Sequence, residues 1–479
     1  MSTKEMCPHK DCVIRLDYAN MMSSSIGDQG FTPQIITSSK KVCLTAHHHL
    51  KEMRDRGRLP WMDLPHKLDN LHDILAFRTR VEGSYDTLIV LGIGGCSRGN
   101  LALHTALTHP FFDLLPKRTR GNRMRLFVCD NTDPERFMGL LSIIDPKKTL
   151  FNVISKSGST EETLAQFLIV HDLLKTKVGP AALKKQLIIT TDAKHGALRK
   201  LAQSEGYTSF SIPEGTESRY SVFSPVGLLS AALEGIDIEM LLDGARRMDA
   251  HLQEPDIMKN PAYLSALFQF LADTRQGRNI LVMMPYAERL RGLTEWYRQL
   301  WAESLGKKQT RDGQIVHCGS TPIAAVGSSD QHSQLQLFVE GPQDKVIVFI
   351  GVESFHTSGE IPRAKKAVLT EFGHLGGSNL EKLLQNERLA TTLTLHKARR
   401  PNMTFLVPDI NPCTVGQLLF LFQVQTVFAA ELYNVNAFDQ PGAELGKETV
   451  HALMGRKGYE KQHSDFEKEL GNPDNSCIC

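Results

Sequence analysis

Between residues 155 and 163 the chain reads Ser155-Lys156-Ser157-Gly158-Ser159-Thr160-Glu161-Glu162-Thr163, five hydroxyl side chains around one glycine. The segment follows an apolar run predicted as a strand and opens a pattern predicted as a helix. Backbone N–H groups at a helix N-terminus lack intrahelical partners and carry the positive end of the dipole, so they attract phosphate. Hydroxyls donate to phosphate without adding fixed charge, which suits reversible binding of a monoester. The plainer alternative is a helix cap, which needs only one hydroxyl and an acid. A second turn, Gly92-Ile93-Gly94-Gly95-Cys96-Ser97-Arg98-Gly99, follows another apolar run in the same way. It misses the dinucleotide fingerprint: Ser97 stands where the last glycine of G-x-G-x-x-G belongs, and no acidic residue follows a clear second strand at the right distance. Two such turns at the carboxyl edge of one sheet suit a shared crevice for a small ligand.

Taken together, these stretches resemble the sugar isomerase (SIS) fold, and four downstream segments make the chain similar to the bacterial-type phosphoglucose isomerase family. They are Glu217-Ser218-Arg219-Tyr220-Ser221-Val222-Phe223-Ser224, Gln299-Leu300-Trp301-Ala302-Glu303-Ser304-Leu305-Gly306-Lys307, Asp330-Gln331-His332-Ser333-Gln334-Leu335, and Asn436-Ala437-Phe438-Asp439-Gln440-Pro441-Gly442-Ala443-Glu444-Leu445-Gly446-Lys447. The resemblance implies reversible aldose–ketose isomerisation of glucose 6-phosphate and fructose 6-phosphate, through ring opening and a cis-enediol, in glycolysis and gluconeogenesis. It implies neither cofactor nor metal. Glu303 would carry the proton between C1 and C2, since one positioned carboxylate can serve both transfers on one face of a planar intermediate. Arg219 would stabilise the enediolate oxygen. His332 and Lys447 would open the ring, with His332 reaching the site from the neighbouring subunit of a homodimer. Ser155, Ser157, Thr160 and Thr163 would hold the phosphate, helped by the backbone of Gly95 and Cys96. Lys156, Glu162 and Gln299 match family positions near the substrate.

Four residues depart from the family pattern. Cys96 stands where Ser is usual, Arg98 where an apolar residue is common, Ser218 where glycine precedes the arginine, and Ala443 where valine is usual. A thiol donates weakly, so the Cys96 contact to substrate would either be lost or shift to its backbone N–H. Arg98 would either turn away from the site or add charge near the phosphate. Ser218 matters if that position requires a positive φ.

The elements that must position these groups follow from apolar runs separated by turn residues. Strands are predicted at about 86–91, 124–129, 150–154, 186–190 and 208–212, alternating with helical patterns, which points to a parallel sheet covered on both faces. From about residue 236 helices are predicted at 240–253, 263–274, 290–301 and 415–432, with strands at 279–284, 322–326, 345–350 and 404–407. The expected fold is α/β: two doubly wound parallel-sheet sugar isomerase lobes with helices on both faces, spanning 46–234 and 235–435. An N-terminal arm (1–45) and a C-terminal signature segment and tail (436–479) complete the expected domains.

Composition excludes other classes rather than selecting this one. The 479 residues carry a net charge of +2, with 41% hydrophobic and 23% charged residues, close to a globular average. No basic or acidic block suggests nucleic acid or a membrane surface. The N-terminus lacks a secretory pattern, and the apolar stretch 417–430 is interrupted by Gln and short for a bilayer span. The nine cysteines are scattered and odd in number, which does not suggest a disulfide framework. The expected location is cytoplasmic. Cys7, His9 and Cys12 lack a second ligand pair for zinc. His47-His48-His49 reads as polar surface, and the closing Ser476-Cys477-Ile478-Cys479 fails the common prenylation box. Three rival readings remain: an isomerase that also accepts mannose 6-phosphate, a metal-dependent hydride-shift enzyme, and a non-catalytic sugar-phosphate sensor. The metal enzyme needs a ligand cluster whose spacing is not seen, and the sensor leaves Glu303, Arg219, His332 and Lys447 without a purpose.

Overall fold

The computed structural model describes residues 13–363 and 371–470; Cys7, His9, Cys12, Cys477 and Cys479 lie outside the described residues. The described strands are β1 (Arg15–Asp17), β2 (Thr87–Leu91), β3 (Arg125–Cys129), β4 (Thr149–Ser155), β5 (Leu187–Asp192), β6 (Thr208–Ile212), β7 (Ile280–Pro285), β8 (Lys307–Gln309), β9 (Ile315–Cys318), β10 (Thr321–Ala324), β11 (Lys345–Val352) and β12 (Asn402–Val407). Two five-stranded sheets form, ordered β3-β2-β4-β5-β6 and β1-β12-β11-β7-β10. The first is parallel throughout. The second is parallel except at its edge, where β1 pairs antiparallel with β12. This is the α/β class read from the sequence.

Parallel strands covered by helices on both faces are buried along their whole length, so they read as unbroken apolar runs. Every residue of β2 and β4 is buried. Ile89, Phe151, Val153 and Ile189 pack with Phe167, Val170 and Leu174 of the helix Glu161–Lys177. In the first sheet the strand order reverses between β2 and β4. Loops leaving the carboxyl ends of two such strands part to opposite faces and leave a crevice. The two turns singled out above sit there.

Three features were not anticipated. β1 lies within the stretch read as an arm and hydrogen-bonds into the second sheet. β8 and β9 form a hairpin whose residues are mostly exposed, with Ile315 and Val316 adjacent rather than alternating with polar residues, so no apolar alternation announces it. His47 is buried against the Tyr263 hydroxyl (3.0 Å) and His49 bonds Glu431 (2.6 Å), so the triple histidine is not simply polar surface. Positions two apart on a helix face different ways, and here His47 and His49 reach different partners.

The helix Pro412–Tyr433 corrects another expectation. It runs past both ends of the stretch 417–430 and is long and apolar enough to cross a membrane, yet its apolar stretch is entirely buried within the protein. It crosses the helix Ile238–Leu252 closely. A Cβ on Gly416 would stand 2.0 Å from the carbonyl oxygen of Leu241, so only glycine allows this approach.

At the β3 edge of the first sheet a side chain takes up one backbone donor. The Leu126 N–H on β3 donates to Asp113 (2.9 Å), whose carboxylate pairs with His104 (3.1 Å); His104 also bonds the buried Glu234. Burial opposes the charged imidazole, but the Glu234 and Asp113 carboxylates outweigh it and hold His104 up to about 10, against an ordinary 6.5. A pKa raised on folding stabilises the fold fully below the unfolded value and is lost as pH rises through the folded one. The melting temperature is therefore expected to fall between about pH 7 and pH 10, with a shallower fall in His104→Gln. A wild-type and a variant that melt in parallel across that range would refute it.

The chain divides into two compact units, one ending at Asn436 and the other beginning at Ala437. In the second, the helices Pro441–Leu453 and Glu460–Leu470 are held together in part by His463 Nδ1 and the Ala452 carbonyl oxygen, 2.9 Å apart.

Candidate active site

β4 delivers Ser155 to the crevice, and the following residues fold into a loop tied by its own hydroxyls. Ser155 Oγ is hydrogen-bonded to Thr160 Oγ1 (2.9 Å) and accepts the Gly158 N–H (3.1 Å). Gly158 has φ +66°, which suits a glycine. Thr191 on β5 donates to the Ser155 carbonyl (2.7 Å) and fixes the strand end. Ser157 is exposed, and its Oγ accepts from both the N–H and the hydroxyl of Ser159 (3.2 and 3.0 Å). Thr160 sits at the N-cap of the helix Glu161–Lys177 with its hydroxyl turned to Ser155 rather than capping the helix. Thr163 is buried, and its hydroxyl is enclosed without a hydrogen-bond partner among the described residues.

The second turn meets the arginine segment. A Cβ on Gly95 would lie 2.3 Å from the carbonyl carbon of Ser218 and 2.5 Å from the Arg219 nitrogen, so the bare glycine seats that backbone on the N-terminus of the helix Gly95–Leu107. Ser218 is not among the non-glycine residues with positive φ, so serine there strains nothing. Cys96 is buried. Arg98 turns toward Asp130 at the end of β3 (3.6 Å), which answers the question its charge raised. Lys156 pairs with Glu217 (2.9 Å), tying the hydroxyl loop to the arginine segment.

The helix Arg291–Leu305 supplies the remaining groups. Its buried face carries Leu293, Trp296, Tyr297, Leu300, Trp301 and Ser304. Gln299 and Glu303, four residues apart, share one side of it. Gln299 Nε2 donates to Glu303 Oε1 (2.9 Å) and lies 3.0 Å from where a Cβ on Gly94 would be. Glu303 Oε2 stands 3.5 Å from Arg219 Nη1; the arginine side chain is 2% exposed and the glutamate 31%. A half-open carboxylate thus lies between an amide and a buried guanidinium, where a carboxylate can exchange a proton and the guanidinium can meet a developing negative charge. A family model described as phosphoglucose isomerase matches residues 76–471. The chain belongs to the phosphoglucose isomerase family.

Relatives of similar length agree with the family assignment. The chain is 41% identical over 461 residues to a glucose-6-phosphate isomerase of Carboxydothermus hydrogenoformans, covering 96% of this chain and 98% of the relative. It is 43% identical to that of Rubrobacter xylanophilus, over 83% of this chain and 90% of the relative. Among solved structures, a hypothetical protein from Thermus thermophilus aligns with a TM-score of 0.82 and 35% identity, over 92% of this chain and all of that one. A glucose-6-phosphate isomerase from Chlamydia trachomatis shares the fold, with a TM-score of 0.71, 23% identity, and 84% of this chain and 76% of that one covered.

The residues singled out from the phosphoglucose isomerase resemblance do not all belong to these segments. Gly95, Cys96, Ser155, Lys156, Ser157, Thr160, Arg219, Gln299 and Glu303 lie in or beside the three segments just described. His332 is exposed on the helix Ser329–Glu340, which follows β10 of the other sheet, and no hydrogen bond among the described residues links it to Glu303. Lys447 belongs to the second compact unit, where it pairs with Glu444 (2.6 Å). Ser304, Tyr220 and Glu217 were missed as participants. Each adjoins a chosen residue in sequence, but adjacency alone does not say which side chain turns inward.

Proposed function

We propose that this chain catalyses the reversible isomerisation of glucose 6-phosphate and fructose 6-phosphate through an opened ring and a cis-enediol. The observation that carries it is the Glu303 carboxylate, held on the helix Arg291–Leu305 between the Gln299 amide and the Arg219 guanidinium. The hydroxyl loop from Ser155 to Thr160 anchors the phosphate through Ser157, the loop N–H groups and the backbone at Gly95 and Cys96. Thr163 contributes after its enclosed hydroxyl becomes available to the ligand. Glu303 removes the proton at C2 of the open aldose and returns it at C1, while Arg219 meets the charge on the enediolate oxygen. Both transfers are short when the carboxylate sits over one face of the planar intermediate.

Ring opening is assigned to His332 and Lys447 on the strength of the family motifs. His332 is exposed on its helix, which suits a homodimer in which it serves the neighbouring subunit's site. We place the enzyme in the cytoplasm, in glycolysis and gluconeogenesis, acting on a sugar phosphate without cofactor or metal.

The test is conversion of fructose 6-phosphate to glucose 6-phosphate, coupled to a dehydrogenase, with and without EDTA, and with mannose 6-phosphate run beside it. Turnover that EDTA does not change is expected. A folded protein that binds these sugar phosphates without converting them would instead be a sensor.

A further inference from the structure

We propose that Ser304 is a positioning residue for Arg219: its hydroxyl sets the plane of the guanidinium that faces the enediolate oxygen. The inference rests on the isomerase reading above and adds a residue to its machinery.

Ser304 occupies the last turn of the helix Arg291–Leu305 and is completely buried. Its Oγ accepts a hydrogen bond from Arg219 Nε at 3.0 Å and lies 3.0 Å from the Tyr220 hydroxyl. An arginine Nε only donates, so the direction of the first bond is fixed. A serine hydroxyl has one proton and two lone pairs, so it can serve both neighbours at once. Burial pushes the Tyr220 phenol up to about 12, so it meets Ser304 as a neutral hydroxyl, and its ring lies 5.7 Å from the guanidinium carbon.

Of the Ser304 and Glu303 contacts to the arginine, the first is the firmer. At 3.5 Å, the Arg219–Glu303 contact is at the loose limit of a hydrogen bond, whereas the Ser304 contact has ordinary length. The guanidinium is planar, so directing its Nε–H also directs Nη1. Ser304 therefore aims the end of the arginine that faces Glu303, while the guanidinium itself holds Glu303 Oε2 only loosely. A charged donor lowers a barrier most when it is already aimed at the place where charge develops. The same turn of helix thus carries the base and the group that aims its electrostatic partner.

The experiment compares wild type, Ser304→Ala and Tyr220→Phe in steady-state isomerisation, with melting curves to establish folding. Ser304→Ala keeps every charge but removes the acceptor for Nε. It is expected to lower kcat about tenfold or more while KM changes less than about threefold, because the phosphate is held by another loop. A planar enediolate mimic bearing the same phosphate should lose affinity by the same factor as kcat/KM, with inhibition by inorganic phosphate unchanged. Tyr220→Phe keeps the Nε acceptor and should lose less. A folded Ser304→Ala whose kcat and mimic affinity stay within about twofold of wild type overturns the proposal. An inactive, folded wild type overturns the isomerase reading and this inference with it.

Discussion

Glu303→Gln is expected to lower kcat by about 10²- to 10⁴-fold with little change in KM, the range spanned by a single general base. The substitution is close to isosteric. The amide can still accept from Gln299 Nε2, now 2.9 Å from Glu303 Oε1, and Arg219 keeps its bond to Ser304. What disappears is a group able to take a proton from carbon and give it back. The decisive readout is therefore isotopic as well as kinetic. In deuterated water, wild type should wash solvent hydrogen into the C2 position of glucose 6-phosphate, and the variant should not. Sugar-phosphate binding should persist, because the hydroxyl loop is untouched. A variant that exchanges hydrogen at near wild-type rate would move the base elsewhere and leave Glu303 a structural partner of Gln299.

Arg219→Ala is expected to reduce kcat/KM by about 10²- to 10³-fold, the loss typical of removing one preorganised oxyanion donor. Arg219→Lys should recover only part of this. Lysine restores a positive charge, but as a compact point on a flexible stem it cannot offer one face to Ser304 and another to the substrate. Arg219 is 2% exposed, so either variant also disturbs packing around Tyr220. Separating that effect requires kinetics on protein whose melting is followed in parallel. If Lys restores full activity, charge alone is what matters, and the guanidinium plane is irrelevant. If Ala stays within about fivefold of wild type, the enediolate charge is met by another group.

Much of the first lobe was legible because its physics is local. Buried parallel strands leave apolar runs, and turns at their carboxyl ends leave glycines and hydroxyls. The Ser155–Thr160 segment and the Gly92–Gly95 turn are placed on one crevice by the sequence alone. Arg219 and Glu303 were different. They are 84 residues apart, and no spacing rule brings an arginine after β6 onto a glutamate in the last turn of the helix after β7; only similarity to a family picked them out. Other features were invisible because they depend on what lies across the crevice. Arg98 turns to Asp130, Lys156 finds Glu217, and the Thr163 hydroxyl is enclosed, yet each reads in the sequence as an ordinary polar residue. The hairpin of β8 and β9 escaped for the opposite reason: its exposed residues carry no apolar rhythm.

One detail of the second sheet bears on how the chain comes to be folded during synthesis. Arg15 pairs with Leu406, and Asp17 with Thr404. The strands of the first sheet, by contrast, all fall between Thr87 and Ile212. A chain emerging from the ribosome can therefore assemble the first sheet from a contiguous stretch, while the segment around Arg15 has no strand to join until β12 follows hundreds of residues later. Closing so long a loop adds entropy cost only slowly with length, but the partner must exist first. The edge that β1 covers thus stays unmade until β12 has been synthesised, and β1 finds its place long after its own residues are made.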